Sequence, residues 1–267
     1  MDLSIIILNY KAKGLVKQCL KGIKLLNLGL KYEVIVVDNH SGDSSVTMIK
    51  EQFPWVKLVE AERNCGFAAG NNLGIKEAVG KYVMILNPDI TVLEGAIETM
   101  YEYMEKNPLV GISGPKLINP DGTVQYSCYH FPGFMVPIYR RTFLGNLPWA
   151  KKTLRHYLMK DWAHDADREV DWLLGACLFV RKSALDKVGL LDERFFLYFE
   201  DVDWCRRFWQ AGFKVSYLAE AEMVHYHQRL SAENPGWRGL FSNMTRIHIA
   251  SWIKYFAKYL GVNKNKK

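Results

Sequence analysis

Short hydrophobic runs separated by amphipathic stretches make up the first half of the chain. Each run is rich in β-branched residues and ends in polar or turn residues, which predicts a buried strand. The predicted strands are residues 3–8, 33–38, 56–59 and 82–86. Apolar positions recur at helical spacing over residues 11–28 and 93–104. This alternation of strands and helices predicts an α/β fold built on a mostly parallel sheet.

The second half of the chain differs from the first in composition and periodicity. Residues 126–167 are aromatic, basic and weakly periodic, so they predict an irregular or mobile insertion. An apolar run over 172–181, interrupted by Gly175-Ala176, and a run over 214–218 predict further strands. No repeat or linker is visible, so we expect one domain over residues 1–235 and a separate tail over 236–267.

Polar residues follow three of the predicted strands, as Asn9-Tyr10, Asp38-Asn39 and Asn87-Pro88-Asp89. Ligands of parallel sheets bind at the carboxyl ends of strands, so these residues are candidate binding groups. A carboxylate such as Asp89 can hold a hard divalent cation shared with a diphosphate, although Asn-Pro-Asp is also a good turn.

Two histidines near the end of the last predicted strand are candidate metal ligands. His225 and His227 are two residues apart, so on a strand both would point to the same face. Their imidazoles could supply a nitrogen ligand, although a lone histidine is more often structural.

An aromatic run over residues 195–199 ends in three carboxylates within four positions, Glu200, Asp201 and Asp203. A helical pattern follows, with Gly212 as its expected end. A carboxylate at a helix N-terminus is favoured in its ionised form and is suited to accept a proton from a hydroxyl. The alternative is an ordinary acidic helix cap.

A glycine- and asparagine-rich segment covers residues 63–74. Glycines let a backbone approach a ligand closely, and asparagines supply both donors and acceptors. The segment matches neither a Walker loop nor the GxGxxG pattern, so a simple turn and helix start is an equally good interpretation.

Composition indicates a globular chain, since 49% of its residues are hydrophobic. The five cysteines form no CxxC pair, which argues against a zinc site or a disulfide framework and for a reducing compartment. We expect no signal peptide, because no charged leader precedes the first strand. No apolar run reaches the length that spans a bilayer.

The net charge of +7 is concentrated at the C-terminal end, because residues 237–267 contain seven basic residues and no acidic one. Five apolar residues there fall on one predicted helical face, namely Ile249, Trp252, Ile253, Phe256 and Leu260. A basic amphipathic helix of this kind predicts docking on an anionic membrane surface. Packing of the helix on its own domain is the alternative. No nucleic-acid motif accompanies the charge, so we expect no nucleic-acid partner.

Five motifs occur in an order that resembles family 2 glycosyltransferases of the GT-A fold, and within them the bacterial rhamnosyltransferase-like branch. The motifs are residues 5–10, 36–43, 63–71, 87–89 and 196–203. The resemblance covers roughly residues 2–230. It implies a Rossmann-like nucleotide-sugar-binding half over 1–115, an acceptor and catalytic half over 116–235, and C-terminal helices.

The resemblance also implies roles for individual residues. The nucleotide-sugar site would contain Asn9, Tyr10, Asp38, Asn39, Arg63, Asn64, Gly66, Asn71 and Asn87. The divalent cation, Mg²⁺ or Mn²⁺, would be held by Asp89 and His225, with His227 as the second choice of histidine. Asp201 would be the general base and Glu200 would orient the site, while Trp172, Gly175 and Ala176 would line the acceptor side. The family has an aspartate where this chain has Asn87, which leaves metal dependence open.

The implied reaction is an inverting sugar transfer in bacterial cell-surface polysaccharide synthesis. The expected donor is dTDP-rhamnose, with UDP-sugars as the rival class. The expected acceptor is a glycan or a polyprenyl-linked glycan at the cytoplasmic face of the cell membrane. Two other classes stay open: a nucleotidyltransferase on a similar sheet, and a catalytically silent sugar-nucleotide-binding module. The presence of Asp89 and Asp201 counts against the silent module.

Overall fold

The computed structural model describes residues 1–226 and 243–260. The first half contains β1 Leu3–Asn9, α1 Lys13–Leu25, β2 Tyr32–Asp38, α2 Ser45–Gln52, β3 Lys57–Glu60, α3 Gly66–Glu77, β4 Tyr82–Leu86, β5 Ile90–Val92, α4 Ala96–Lys106 and β6 Val110–Ile118. The second half contains β7 Val124–Gln125, β8 Cys128–Tyr129, α5 Val136–Arg141, α6 Pro148–Tyr157, β9 Arg168–Glu169, β10 Trp172–Leu173, β11 Cys177–Arg181, α7 Leu185–Val188, α8 Glu200–Gln210, β12 Lys214–His225 and α9 Asn243–Tyr259. Single 3₁₀ turns cover Phe143–Asn146 and Lys182–Ala184.

One large sheet runs through the molecule in the strand order β3-β2-β1-β4-β11-β6-β12-β5. Strands β1 to β4 pair in parallel, as do β6 and β12, which confirms the predicted α/β fold with a mostly parallel sheet. Strand β11 runs antiparallel to both β4 and β6, and β5 runs antiparallel to β12. The insertion of β11 next to β4 brings the second half of the chain to the strand ends of the first half.

The central strands β1 and β4 are largely apolar because both faces of the sheet are covered. Ile5, Ile6 and Ile7 are all fully buried, with Ile6 in one core cluster and its two neighbours in the other. Burial on both faces produces a continuous hydrophobic run in place of an alternating one. This is why residues 3–8 are recognisable as a strand from sequence.

The prediction of an irregular insertion over residues 126–167 was wrong, since this segment contains β8, α5, a 3₁₀ turn and α6. Its helices are 6 and 10 residues long, and α6 buries only Ala150 and Tyr157. Helices this short give a weak periodic signal. The run over 172–181 is also two strands, β10 in a small sheet with β8 and β11 in the main sheet.

Helix α9 packs on the domain, so the predicted apolar face is divided. Thr245, Ser251, Tyr255 and Tyr259 are buried, and Trp252 and Phe256 are half-buried. Ile249, Ile253 and Leu260 are exposed. Nowhere in the described ranges does a helix combine the length and the apolar composition that crossing a membrane requires.

Candidate active site

Asp38 at the end of β2 is held in place by its neighbours. It lies directly across from Asn9 in the β1–β2 register, and the Asn9 amide donates to Asp38 Oδ1 at 2.8 Å. Ser41 donates twice, from its hydroxyl to Oδ1 at 2.6 Å and from its backbone N–H to Oδ2 at 3.0 Å. The side chain of Tyr10 is exposed beside this group. Sequence reasoning missed Ser41, although a serine three residues after a strand-end aspartate is a typical turn signal.

Asn39 ties the glycine-rich segment to the same strand end. Its amide donates to Asn64 Oδ1 at 3.0 Å, and its Oδ1 accepts the backbone N–H of Cys65 at 3.0 Å. The backbone N–H of Gly66 also donates to Asn64. Arg63 is exposed at the edge of this loop. Four of the predicted nucleotide-site residues, Asn39, Arg63, Asn64 and Gly66, therefore lie together.

Asn71 is fully buried in α3, as Asn9 is at the end of β1. Its amide donates to the carbonyl of Phe67 at 2.9 Å. Its buried Oδ1 has no hydrogen-bond partner among the described residues. A role for Asn71 in contacting a nucleotide stays a prediction.

Gly66 joins the two halves of the site. It adopts a left-handed conformation with φ of +84°, and a Cβ there would lie 2.3 Å from the carbonyl oxygen of Phe196. The next residue, Phe67, donates its N–H to that same carbonyl at 2.7 Å. The Phe196 segment continues through two more left-handed residues, Tyr198 and Phe199, into the first turn of α8.

We therefore expect Gly66→Ala to lower the free energy of unfolding by roughly 2–4 kcal/mol, through the left-handed backbone and the clash together. Gly122→Ala is the matched control, because Gly122 has φ of +83° but open space around its Cβ position. It should cost only the backbone part, about 1–2 kcal/mol. Urea denaturation measures both, and equal losses would show that the contact with Phe196 contributes nothing.

Asp201 and Glu200 occupy the first turn of α8, as predicted, and both are buried. Asp201 accepts the backbone N–H of Gly175 at 2.9 Å and that of Val202 at 2.8 Å. Burial raises the pKa of Asp201 to about 6 against the opposing effect of these hydrogen bonds. Burial, and then the charge of Asp201, raise the pKa of Glu200 well above its ordinary value.

Asp201 is therefore the carboxyl that ionises more readily. Its two backbone N–H donors stabilise the charged form, whereas Oε2 of Glu200 is buried with no hydrogen-bond partner in the described part of the chain. A buried carboxylate beside a neutral acid is an arrangement that can accept a proton near neutral pH.

The three predicted acceptor-side residues differ in their relation to Asp201. Gly175 contacts its carboxylate, and the carbonyl of Ala176 accepts the backbone N–H of Asn87 at 2.8 Å. The Trp172 side chain is buried, with its ring stacked on Tyr129 at a centroid distance of 4.4 Å. The contact of Trp172 with an acceptor stays a prediction.

Asp89 and His225 lie close together in space although they are far apart in the chain. Their closest approach is 3.4 Å, between Nε2 of His225 and Oδ2 of Asp89. The pairing of β5 with β12 brings them together, and the N–H of Tyr226 donates to the carbonyl of Asp89 at 2.9 Å. His227, the second choice of ligand, lies outside the described residues.

The donor set of Asp89 and His225 fits a divalent cation. Nδ1 of His225 lies 2.8 Å from Oε1 of Gln125, and Nε2 is the ring nitrogen that faces Asp89. When Nδ1 donates to Gln125, Nε2 presents a lone pair that a cation can bind. Oδ1 of Asp89 is buried without a hydrogen-bond partner in the described ranges. Two ligand atoms facing each other are stabilised by a cation. No cluster of three or more His, Cys, Asp or Glu suited to a metal occurs within residues 1–226 and 243–260.

Comparison with known families and curated proteins gives a consistent result. A sequence model described as "Glycosyl transferase family 2" matches residues 4–167. The chain is 29% identical over 231 residues to an N-acetylglucosaminyl-diphospho-decaprenol L-rhamnosyltransferase of Mycobacterium tuberculosis, covering 82% of this chain and 73% of that protein. It is 27% identical over 202 residues to rhamnosyltransferase WbbL of Escherichia coli, covering 72% and 70% respectively.

A solved structure supports the same architecture. The chain superposes on GalNAc-T7, crystallised with UDP, GalNAc and Mn²⁺, with a TM-score of 0.67 and 14% sequence identity. The match covers 97% of this chain and 48% of that one, so the chain spans about half the length of GalNAc-T7. The likeness shows the fold, which is GT-A as predicted.

Proposed function

The chain belongs to glycosyl transferase family 2 and is a glycosyltransferase, and from this premise we propose that it transfers rhamnose from dTDP-rhamnose with inversion. The proposed acceptor is a glycan or polyprenyl-linked glycan of bacterial cell-surface polysaccharide synthesis. The observation that carries the catalytic assignment is the 2.8 Å hydrogen bond from the backbone N–H of Asn87 to the carbonyl of Ala176. It ties the strand end that bears Asp89 to the loop that contacts Asp201, so both proposed functional groups share one rigid support.

The proposed donor site lies at the ends of β1 and β2. Asp38 holds the nucleobase, positioned by Asn9, and exposed Tyr10 lines the same pocket. Arg63 and Asn64 face the ribose and diphosphate from the loop before α3. Asn39 and Gly66 support this loop from below, which their hydrogen bonds and burial favour.

The proposed metal ligands are Asp89 and His225, with Mg²⁺ or Mn²⁺ as the cation. When bound, the cation would offset charge that develops on the departing nucleoside diphosphate. The fit of the two ligand atoms supports this proposal, as does the Mn²⁺ in GalNAc-T7. Asn87 adds an amide beside them in place of a second carboxylate, which favours weaker metal binding.

The proposed chemical step is a single displacement. The carboxylate of Asp201 accepts the proton of an acceptor hydroxyl, and the hydroxyl oxygen attacks the anomeric carbon of the donor sugar. The bond from that carbon to the diphosphate oxygen breaks, so the nucleoside diphosphate leaves and the anomeric centre inverts. Glu200 stays protonated and orients the acceptor through its carboxyl group, which its raised pKa supports.

The pKa of Asp201 predicts a pH dependence. The base must be ionised, so kcat/KM should fall by about tenfold per pH unit as the pH drops below about 6, where burial places this pKa. Rates measured across pH 4.5 to 8 with a saturating donor check this, at about half-unit steps. A profile that stays flat down to pH 4.5 would exclude Asp201 as the titrating base.

Three alternatives remain beside this proposal. A UDP-sugar would fit the same strand-end pocket, and a nucleotidyltransferase would release pyrophosphate in place of a nucleoside diphosphate. A silent binding module would bind the donor but turn nothing over. We propose that the enzyme works at the cytoplasmic face of the membrane, with α9 and the basic C-terminal end in contact with anionic lipid.

A thermal-shift screen against dTDP-, UDP- and GDP-sugars, with and without Mn²⁺ or Mg²⁺, tests the donor and the metal together. A donor at about 100 times its Kd should stabilise the fold by roughly 2.7 kcal/mol. Asp89→Asn is the matched variant, expected to remove the metal-dependent part of the shift only. No shift with any nucleotide would overturn the proposed function, and a shift without turnover would favour the silent module.

A further inference from the structure

A second basic segment without acidic residues lies outside the C-terminal end. Residues 122–160 contain six basic residues and no aspartate or glutamate. They include Arg140, Arg141, Lys151 and Lys152, on α5 and α6. The sequence already indicated that this part of the chain is aromatic and basic, but not which other basic segment it lies against.

This segment packs against α9. The ring of Phe134 lies 4.6 Å from that of Trp252 and 5.2 Å from that of Phe256, and Arg141 donates to the hydroxyl of Thr245 at 3.3 Å. Helix α9 has basic side chains and no acidic ones between residues 243 and 260. Folding therefore joins two acid-free segments that are more than 80 residues apart in the chain.

Large apolar side chains protrude from the same region. Phe143 is 79% exposed and Trp149 is 61% exposed, the highest values among the aromatic residues of the described ranges. Phe134, Met135, Ile253 and Leu260 are also exposed. Apolar patches of this kind mark interaction sites when they are large, and aromatic residues next to lysines and arginines are typical of surfaces that enter the lipid headgroup region.

We propose that this region, the basic aromatic face, docks on an anionic lipid bilayer. We define it by the exposed residues Phe134, Arg140, Phe143, Trp149, Lys151, Lys152 and Ile253. Its charge complements anionic headgroups, and its exposed rings supply the apolar anchors that lipid insertion requires. The docking surface is therefore centred on residues 134–152, which pack against α9. It is not formed by the C-terminal residues alone.

The position of the face agrees with its proposed use. Helix α6 ends at Tyr157, whose ring packs against Trp172 with a centroid distance of 6.4 Å. Trp172 is three residues before Gly175, whose backbone N–H donates a hydrogen bond to Asp201. The bilayer would thus lie on the acceptor side of the site, which rests on the proposed function in that it assumes a lipid-linked acceptor.

Helix α1 provides a control surface elsewhere on the molecule. Lys21 and Lys24 are exposed there next to Leu25, and no acidic residue lies between residues 3 and 32. Exposed aromatic side chains are lacking on this helix. If positive charge alone drove membrane binding, α1 would bind an anionic bilayer as well as the basic aromatic face does. If exposed aromatic rings are also required, only the basic aromatic face should bind.

Vesicle co-sedimentation of the full chain tests the proposal, using phosphatidylglycerol mixed with phosphatidylcholine against phosphatidylcholine alone. We expect binding to the anionic vesicles only. Lys151→Glu with Lys152→Glu, and separately Phe143→Ser with Trp149→Ser, should each weaken binding by about tenfold or more. The control pair Lys21→Glu with Lys24→Glu should change it by less than about threefold.

Several outcomes would overturn the proposal: no binding of the parent protein to anionic vesicles, or equal loss in the control pair, which would indicate non-specific charge attraction. Dimerisation that the Phe143 and Trp149 substitutions abolish, without vesicle binding, would assign the face to a second copy of this chain. The donor-induced thermal shift is measured on every variant. If it persists while docking fails, the docking proposal falls and the proposed function stands.

Discussion

Asp201→Asn is expected to lower the kcat of sugar transfer by roughly 10²- to 10⁴-fold while leaving the Kd of the donor unchanged. The substitution preserves size and removes the only proposed proton acceptor. The donor pocket at the ends of β1 and β2 does not contact this side chain through any hydrogen bond described above. Single-turnover kinetics and the donor-induced thermal shift separate the two effects.

Asp186→Asn is the matched control, because Asp186 is an exposed aspartate on the neighbouring helix α7. The same change of one carboxylate to an amide should leave kcat within about twofold there, as expected for a surface substitution. Near-parental turnover in Asp201→Asn would show that another group takes the proton. Glu200→Gln would then be the next variant to measure.

Asp203→Ala is expected to lower the free energy of unfolding by about 3–5 kcal/mol, because it removes the acceptor at the centre of a buried charge network. Asp203 is fully buried, two residues after the proposed base. It accepts hydrogen bonds from Arg207 at 2.9 Å and the hydroxyl of Tyr259 at 2.8 Å, and it lies 2.6 Å from the ammonium of Lys258. Urea denaturation followed by tryptophan fluorescence measures the loss.

Tyr259→Phe is the graded control, since it removes one hydrogen bond of the same network and should cost only about 1–2 kcal/mol. A loss below about 1 kcal/mol in Asp203→Ala would mean that α9 is not held through this carboxylate. Deleting α9 would also break this network. A truncation at residue 247 would leave Asp203 without Lys258 and Tyr259, so lost vesicle binding in that variant would not by itself report docking.

Much of the local structure could be predicted from the sequence. The strands over residues 3–8 and 82–86 match β1 and β4 closely, because strands buried on both faces have a distinctive composition. The start of α8 at Glu200 followed from the change from an aromatic run to a helical pattern. The five ordered motifs also indicated the family, which the match over residues 4–167 confirms.

Local pattern was insufficient where an element is short or amphipathic. Helix α5 has six residues, too few for periodicity to show, so the segment around it was wrongly predicted as irregular. In α9 the pattern identified an apolar stripe, but not which of its residues are buried against the rest of the domain. Tyr255 and Tyr259, which the stripe omitted, are buried because their hydroxyls reach Arg206 and Asp203.

Local sequence predicted strands β1 to β4 and helices α1 and α4, but not α2, β5 or β6. It also predicted the strand ends that carry Asn9, Asp38 and Asp89, and the helix start that carries Asp201. Each of these depends on residues close together in the chain, and local composition and periodicity report such features directly. Three contacts between distant parts of the chain could be seen only in the folded structure: Asp89 with His225, Gly175 with Asp201, and the basic segment around α5 with α9. These contacts depend on which strands become neighbours and how helices dock, and periodicity along the chain carries no information about that choice.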